Sequence, residues 1–554
     1  MCKAAPGAER GSGRIGTRVS TLSVARPRGQ ADTRTVARIR AIMDPIERSL
    51  FGRRLQAICD EMGAVLCQTA VSPNIRDRMD FSCAVFDGAG RLSAQAAHIP
   101  VHLGSMAYAM GDLVEGVDWD PGDMLVLNDP YRGGTHLPDV TVIAPLFAEG
   151  RPVAFVANRA HHADIGARAP GSMPVAERLD DEGLVIGPTR LVRAGTIDAG
   201  LLARIGRATG QPQVTLADFR AQIAANHSGL RRLNALLEDR GAWAFADGVR
   251  SLQAYAAELA ARALAEVPDG VYRFEDWLDD DGFGTTEIPI RVTVTIDGAG
   301  CHVDFTGTAS QVRGNVNCPV SVTAAAVFYV IRCLLPPQTP SNAGAFDHLS
   351  IQAPAGCLVN AQRPGAVAAG NVETASRLVD VLLGALAQAL PERIPAASQG
   401  TMNNVAMGAH KGEAWSHYET LAGGMGAGPA GGGLSGIHTH MTNTRNTPIE
   451  VMEALYPVRI TRYALRTGSG GAGRRSGGDG IIRGYRFLAP AQVSILSERR
   501  QRAPWGLAGG APGCPGRNLL GDRVLGAKVT QALDAGDELV VETPGGGGWG
   551  TAEP

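Results

Sequence analysis

The residues best suited to chemistry in this sequence are His136, Asp139 and His161. His136 and Asp139 stand three residues apart in GGTHLPDV, and His161 is followed directly by His162. Imidazole nitrogens and carboxylate oxygens are ligands that first-row divalent metals accept, so the three side chains would form a metal site if they met. The H-x-x-D spacing alone is equally typical of a polar loop in which Asp139 caps a turn. The prediction therefore depends on the element that positions His161.

A predicted β-hairpin brings the three residues together. Apolar runs at 124–127, 140–147 and 152–157 indicate strands, and Glu149-Gly150 suits a two-residue hairpin turn between the last two. Facing residues across an antiparallel ladder lie roughly 5 Å apart. With an uninterrupted ladder, two facing pairs stand at the open end of the hairpin: Asp139 with Ala160, and Pro138 with His161. We therefore expect Asp139 and His161 to meet there, with His136 arriving from the preceding loop.

The composition indicates a large globular protein. Hydrophobic residues make up 44% of the 554 residues and charged residues 19%, which suffices for an apolar interior divided into two or three lobes. A net charge of −2 and an aromatic content of 5% give no sign of a nucleic-acid surface. No apolar run reaches the length of about 18 residues that a membrane span needs. The nine cysteines are scattered without a C-x-x-C pair, which favours reduced thiols and a cytoplasmic location.

The first 42 residues differ from the rest in composition. They contain nine basic and two acidic residues among scattered Gly, Ser and Thr. Transit peptides have this composition, and so do unstructured tails. Met43 stands directly before Asp44-Pro45, an N-cap followed by proline at the first helical position, so a translation start at Met43 is a further interpretation. We expect residues 1–42 to be a disordered, Arg-rich extension without functional residues.

The rest of the chain is predicted to be a multi-lobed, β-rich α+β fold with helical pairs. Helical periodicity predicts a helix at 45–70 and an antiparallel pair at 216–240 and 243–267. Glycine-rich runs at 423–436 and 466–480 lack the spacing of a phosphate loop, so close backbone packing is the expected role. These features divide the chain into a metal-site domain at 43–267, a middle α/β domain at 268–422 and a glycine-rich β domain at 423–554.

Two other histidine pairs carry weaker patterns. His98 and His102 are four residues apart, but Pro100 between them argues against a shared metal site on one helical face. We expect them to line a cleft or to hydrogen-bond to backbone. His438 and His440 alternate along the chain without a nearby carboxylate, so no second metal is predicted there.

Seven segments of the sequence carry a family resemblance. They are NIRDRMDFSCAVFD (74–87), LNDPYRGGTHLPDVTV (127–142), NRAHHADIG (158–166), GNVETASR (370–377), NTPIEVMEALYPVRI (446–460), PWGLAGGAPG (504–513) and TPGGGGWG (543–550). From Met43 to Trp549 the chain resembles the hydantoinase B/5-oxoprolinase family. That family includes N-methylhydantoinase B-type subunits and subunits of 5-oxoprolinases, caprolactamase and acetone or acetophenone carboxylases. The resemblance implies a hydantoinase B-like fold.

The resemblance also implies a ligand set for the metal: Asp80, His136, Asp139 and His161. Asp80 enters through the resemblance alone, and Asp77 is the competing choice for that ligand. Mn, Zn, Fe and Co are all compatible with nitrogen and oxygen ligation.

The function implied by the resemblance is that of the metal-binding subunit of an ATP-dependent cyclic-amide hydrolase. Such an enzyme opens a hydantoin, 5-oxoproline or a lactam. A hydantoinase A-type subunit would use ATP to phosphorylate the amide oxygen, because this sequence contains no phosphate loop, and the assembly would be a hetero-oligomer. The metal site would supply an activated water, and His162 or Asp164 would handle the proton. Asn128, Asp129 and Arg132 would orient the substrate or the phosphorylated intermediate. The alternative for all five is that they only fix the orientation of the ligands.

Two alternative functions stay open at this point. A carboxylase subunit of the acetone or acetophenone type would use the same site to join an enolate to CO₂. A non-catalytic scaffold of the same fold would need none of the four ligands, and their presence in the sequence argues against it.

Overall fold

A computed structural model describes residues 43–96, 99–409 and 414–552 of the chain. The predicted extension at 1–42 and His98 lie outside the described residues. Within them, helices and four separate sheets form a mixed α and β fold, which confirms the predicted fold class. No helix in the described part of the chain has the length and apolar character needed to cross a membrane.

The predicted metal ligands lie on a seven-stranded antiparallel sheet. Its strands are β1 Phe81–Asp87, β2 Leu92–Ala96, β3 Met124–Leu127, β4 Asp139–Ala148, β5 Arg151–His161, β6 Thr189–Arg193 and β7 Thr196–Ile197. They are arranged in the order β2-β1-β5-β4-β3-β6-β7, so the predicted hairpin β4–β5 occupies the centre of the sheet. Apart from its turn, this hairpin is buried.

Helices cover both faces of this sheet. They are α1 Pro45–Thr69, α2 Pro73–Arg76, α3 Pro100–Glu115, α4 Ala199–Ala208, α5 Pro212–Arg240 and α6 Ala242–Ala265. As predicted, α1 begins at the N-cap Asp44, whose Oδ1 accepts a hydrogen bond from the Ile46 N–H at 2.7 Å. Helices α1 and α5 pack on the face that carries Val140 and Val156, and α3 packs on the face that carries Ile143 and Phe155. This alternation is the two-residue period of a strand buried on both sides.

The turn of the β4–β5 hairpin agrees with the sequence, but the register does not. Glu149 and Gly150 both have positive φ angles (51° and 77°), as a two-residue type I′ turn requires. A β-bulge follows at once, because Phe147 pairs with Pro152 while Leu146 pairs with Ala154.

Val153 is therefore left without a ladder partner, and every pair beyond it moves by one residue. Asp139 faces His161 directly. The predicted pairs of Asp139 with Ala160 and of Pro138 with His161 are wrong, because the prediction assumed an uninterrupted ladder. The bulge adjoins Pro152, which has no N–H to donate to a ladder.

A second, four-stranded sheet follows in the chain. Its strands are β8 Gly270–Asp280, β9 Thr286–Asp297, β10 Gly300–Asp304 and β11 Leu349–Gln352, in the order β11-β10-β9-β8. Helices α7 (Val320–Leu334) and α8 (Ala375–Leu386) pack with it. One π-helical turn, Gly370–Thr374, precedes α8 and continues into it. Such turns widen a helix locally and are frequent at functional sites.

The last part of the chain forms two further sheets and a short helix, α9 (Ile449–Leu455). One sheet has the order β13-β12-β16-β19 and is made of β12 Asn404–Ala409, β13 Trp415–Glu419, β16 Ala491–Leu496 and β19 Lys528–Leu533. The other has the order β14-β15-β20-β17-β18 and is made of β14 Val458–Arg466, β15 Gly480–Phe487, β17 Arg517–Leu520, β18 Arg523–Leu525 and β20 Glu538–Glu542. Strands β12 and β13 precede residue 423, although they share a sheet with strands that follow it. The predicted division into domains stays a prediction.

The glycine-rich runs pack backbone against backbone, as the sequence predicts. A Cβ atom at Gly424 would lie 2.0 Å from the carbonyl oxygen of Gly478, and one at Gly546 would lie 2.1 Å from that of Met425. No real side-chain carbon approaches a carbonyl oxygen so closely. Glycine at these two positions therefore allows three distant segments of the chain to meet.

We predict that Gly546→Ala destabilises the fold and that Gly431→Ala does not. The added methyl at position 546 meets a backbone oxygen that cannot move aside, whereas no atom lies within 4 Å of a Cβ at Gly431. Overpacking of this kind costs about 1–3 kcal/mol. Urea unfolding of the two variants measures the difference, and equal midpoints would contradict the close packing.

Candidate metal centre

His136, Asp139 and His161 meet at the open end of the β4–β5 hairpin. Asp139 Oδ1 lies 3.1 Å from His136 Nε2 and 3.3 Å from His161 Nδ1. One ligand atom from each residue can be chosen so that all three lie within 4.8 Å of one another, and all three side chains are buried. The direct pairing of Asp139 with His161 produces this arrangement, since facing residues of an antiparallel pair project to the same side of the sheet.

The loop before β4 delivers His136 to the same point. Asn128 holds this loop, because its amide group donates to the carbonyl oxygens of Leu137 and Leu184 at 2.8 and 2.9 Å. Its Oδ1 accepts a hydrogen bond from Ile186 N–H at 2.7 Å. A Cβ at Gly134 would lie 2.5 Å from the Asn128 carbonyl oxygen, so only glycine permits the tight return of the chain.

Two further side chains approach the cluster. Asp80 immediately precedes β1, and its Oδ2 lies 4.0 Å from His161 Nδ1. His102 lies on α3, with Nε2 at 3.2 Å from Asp139 Oδ2 and Nδ1 at 3.3 Å from Ser82 Oγ. Asp77, the competing choice for the fourth ligand, is instead paired with Arg76 at 2.8 Å.

The role of His102 could not be inferred from its spacing to His98. The structure shows that Pro100 is the first residue of α3, where its missing N–H is tolerated. Reading Pro100 as the start of a helix, and not as a break within one, would have placed His102 in the first turn of a helix next to the hairpin. His102 lines the cavity of the cluster, which was one of its two predicted roles, and its ring bonds to side chains instead of to backbone.

The donor atoms of the cluster fit a divalent cation. Both ring nitrogens of His136, Nε2 of His161 and Oδ1 of Asp139 are buried without a hydrogen-bond partner. Each unsatisfied buried polar atom costs roughly 1–3 kcal/mol, which a coordinated cation would offset. The cavity enclosed there measures about 20 Å³. Roughly 10–15 Å³ holds one water, so a single ion fits.

The protonation states of the ligand side chains favour metal binding as well. Burial opposes ionisation of Asp139, but the neighbouring His136 and His102 outweigh it and hold the Asp139 pKa well below its ordinary value. Burial also lowers the pKa of His161 below its ordinary value. An ionised carboxylate and a neutral imidazole are the forms that bind metals.

The residues predicted to handle protons are held by contacts outside the cluster. His162 Nε2 lies 3.0 Å from Gln222 Oε1 on α5, and its ring packs on Phe219. The carboxylate of Asp164 accepts hydrogen bonds from the backbone N–H groups of Gly166 and Gly210, at 2.7 and 2.6 Å. These contacts hold both side chains in place, and their predicted role in proton transfer stays a prediction.

The three residues predicted to orient substrate lie in different surroundings. Asn128 fixes the ligand loop, which is the alternative role that the sequence left open. Asp129 accepts a hydrogen bond from Tyr131 N–H at 3.0 Å and is ion-paired with Arg363. Arg132 is exposed and lines a cavity of about 480 Å³ that also contacts Arg363. The predicted orienting roles of Asp129 and Arg132 stay predictions.

The wall opposite the cluster comes from distant parts of the chain, and no spacing of residues in the sequence predicted it. Asn371, on the π-helical turn, places Nδ2 3.5 Å from Asp139 Oδ2. The ring of Tyr418, on β13, stacks on His161 with centroids 4.7 Å apart and planes 7° apart. Thr420 and Thr444 complete this side of the cavity.

Comparison with known proteins agrees with this fold. A family model described as Hydantoinase B/oxoprolinase matches residues 44–552. The match covers more than nine-tenths of the chain, so the chain belongs to the hydantoinase B/oxoprolinase family.

Similar sequences include 5-oxoprolinase 1 of Arabidopsis thaliana, which is 38% identical over 92% of this chain. The chain spans 42% of the length of that relative. The putative B-type subunit of the D-/L-hydantoinase of Pseudomonas sp. (strain NS671) is 30% identical and is matched over 92% of this chain and 90% of its own length.

Two solved structures share the fold. The ATP-dependent caprolactamase of Pseudomonas jessenii superimposes with a TM-score of 0.85 at 28% identity, covering 92% of this chain and 91% of that one. The nucleotide-free structure of acetone carboxylase superimposes with a TM-score of 0.82 at 20% identity, covering 92% of this chain and 76% of that one. At that identity the second likeness concerns the fold alone.

We predict that His136→Ala removes bound metal from the protein. The substitution deletes one of three converging ligands, so a chain purified with about one metal ion should retain less than about a tenth of it. Inductively coupled plasma mass spectrometry measures the content. His302→Ala is the control, because His302 on β10 bonds to Ser350 at 2.8 Å and is no part of the cluster. Equal metal content in both variants would contradict the site.

We expect His102→Ala to weaken metal binding without abolishing it. His102 holds Asp139 from the side opposite to His136 and His161. Loss of a partner that orients a ligand typically lowers metal affinity about 10–100-fold. Competition with a chromogenic chelator measures the affinity, and an unchanged dissociation constant would show that His102 does not orient Asp139.

Proposed function

We propose that this chain is the metal-binding subunit of an ATP-dependent enzyme that opens a cyclic amide. The observation that carries the proposal is the buried cluster of His136, Asp139 and His161 with its unpartnered ligand atoms. Support comes from the near-complete match to a B-type hydantoinase subunit and to the caprolactamase chain. The substrate class would be a hydantoin, 5-oxoproline or a lactam.

In this proposal His136, Asp139, His161 and Asp80 hold one ion of Mn, Zn, Fe or Co. Such an ion polarises a carbonyl oxygen or makes water a better nucleophile at neutral pH. The chain itself supplies orientation and a dry environment. Asp139 Oδ2 is fixed by Thr135 Oγ1 at 2.5 Å and by His102, which leaves Oδ1 directed toward the two ligand imidazoles.

Stacking supports the cluster from the opposite side. Tyr418 packs flat on His161, and its hydroxyl donates to Asn404 Oδ1 at 2.7 Å. The Asn404 amide donates in turn to Glu373 Oε1 at 2.8 Å. Because the His161 ring is already held in place, it loses little orientational freedom when a metal binds. This is the benefit of a preorganised site.

We propose that ATP is used by a separate hydantoinase A-type subunit. The glycine-rich runs pack against one another through their backbones, and their sequence lacks the spacing of a phosphate loop. A cyclic amide is a poor electrophile, and phosphorylation of its oxygen by the partner would make the ring carbon attackable. Water would add to that carbon, and the C–N bond of the ring would break with the nitrogen leaving as the amine. A second water would release phosphate from the resulting acyl phosphate, so that the products would be the ring-opened acid and inorganic phosphate.

The test is an assay of the chain co-purified with an A-type subunit. We expect ADP formation to require a cyclic amide and to match the ring-opened product in amount when hydantoin, 5-oxoproline and caprolactam are tried. His136→Ala should lower ring opening by roughly 100-fold or more, since metal assistance contributes several kcal/mol to such reactions.

His302→Ala again serves as the control and should keep full activity. If turnover required a ketone and bicarbonate, the enzyme would be a carboxylase and the proposal would be wrong. A complex that turns over with no metal, or that is unaffected by His136→Ala, would indicate a scaffold.

A further inference from the structure

A second group of unpartnered side chains lies behind the wall of the metal cavity. We call it the basic compartment and define it by the side chains of Arg78 and His438 with the hydroxyls of Thr420 and Thr444. Arg78 is fully buried, and neither its Nε nor its Nη1 has a hydrogen-bond partner. Its Nη2 donates to Thr420 Oγ1 at 3.3 Å.

The histidine of the basic compartment is unpartnered too. Neither ring nitrogen of His438 has a hydrogen-bond partner. Burial, together with the positive charge of Arg78, lowers the pKa of His438 to about 4. His438 is therefore within electrostatic reach of Arg78, and its neutral imidazole offers one N–H donor.

The basic compartment adjoins the metal cavity directly. Thr420 and Thr444 share a hydrogen bond of 2.6 Å, and both line the cavity that contains the ligands. The segment that carries Thr444 is tied to Arg78, because Arg445 N–H donates to the Arg78 carbonyl oxygen at 3.1 Å. Arg78 thus contacts the lining of the metal cavity directly, through Thr420.

The guanidinium of Arg78 is poorly compensated by the carboxylates around it. Asp80 Oδ2 is 3.6 Å away and stands also 4.0 Å from His161. Glu419 is already engaged by Tyr485, Asn446 and Arg483. The guanidinium carbon lies 4.7 Å from the centre of the Tyr418 ring, which offsets part of the charge, but the two free N–H donors stay unsatisfied unless a further acceptor meets them.

We propose that the basic compartment binds an oxyanion of the substrate while the ring amide lies at the metal cluster. Arginine is suited to this role, because its planar fork matches two oxygens of a carboxylate or a phosphoryl group. The inference rests on the proposed function and narrows it to anionic substrates or intermediates. The segment 441–444 is irregular in conformation and would shift to admit a ring, since the cavity itself measures about 20 Å³.

The oxyanion has two sources with the same chemistry. It is either a carboxylate that the substrate carries, as in 5-oxoproline, or the phosphoryl group added to the amide oxygen. Three probes separate them: 5-oxoproline, its uncharged analogue 2-pyrrolidinone, and inorganic phosphate. Isothermal titration calorimetry on the metal-loaded full-length chain needs neither ATP nor partner, so its result is independent of the activity assay.

We expect the unmodified chain to bind 5-oxoproline or phosphate. The Arg78→Met variant should bind the same anion about 10–100-fold more weakly, because a charged hydrogen-bonded pair is lost. Metal content should stay at the level of the unmodified chain, and Arg78→Lys should recover part of the affinity. The control is Arg486→Met, an exposed arginine on β15 that pairs with Glu538 at 3.1 Å. A carboxylate source predicts preference for 5-oxoproline over 2-pyrrolidinone, and a phosphoryl source predicts binding of phosphate without that preference.

The proposal is overturned if neither anion binds, or if a folded, metal-loaded Arg78→Met chain binds the anion as the unmodified chain does. If Arg78→Met does not fold, His438→Gln and Thr420→Val give the same decision, since each alters one donor and keeps the charge of Arg78. If these variants lose anion binding but the complex of the unmodified chain opens no ring, the proposed function alone is refuted. Ring opening that persists unchanged in all the variants would refute the basic compartment alone.

Discussion

The Asp139 carboxylate, held among three imidazoles, is the contact on which the site depends. Its Oδ1 lies 3.1 Å from His136 and 3.3 Å from His161, and its Oδ2 lies 3.2 Å from His102. Desolvation opposes a charge at this depth, so the position is tolerable only because the partners on every side favour the ionised form. Three elements must therefore be placed correctly at once: the hairpin, the loop before it, and the start of α3.

The rest of the fold closes this site. The cavity is completed by Tyr418, Thr420 and Thr444, which lie far along the chain from the ligands. A buried ion network joins the second sheet to the last part of the chain. Its members are Asp276, Arg377, Asp380, Glu498, Arg499 and Lys528, with Arg499 Nη2 at 2.7 Å from Asp276 and Lys528 Nζ at 2.5 Å from Glu498. Loss of one partner would leave a charge buried and unpaired, so the network fixes how these sheets meet.

Local patterns in the sequence predicted much of the first sheet. The N-cap Asp44, the start of α1 and the Glu149-Gly150 turn are set by residues that are adjacent in sequence, and all three are confirmed. The register failed by one residue, since the bulge at Val153 follows from ladder geometry that the alternation of residues does not reveal.

The wall of the site could not be predicted from the sequence, for a different reason. Tyr418 stacks on His161, and Arg78 contacts Thr420, across separations of more than 250 residues in sequence. No periodicity or spacing rule applies to such pairs, because only the packing of whole sheets decides them. Asp80 was placed near His161 through family resemblance, and its distance of 4.0 Å leaves its role as a ligand a proposal.

The most direct test of the account is a crystal structure of the metal-loaded protein, with anomalous data collected at the absorption edge of the bound metal. The account predicts one anomalous peak about 2.0–2.3 Å from a nitrogen of His136, a nitrogen of His161 and an oxygen of Asp139. A peak elsewhere in the chain, or no peak in protein that carries stoichiometric metal in solution, would contradict it.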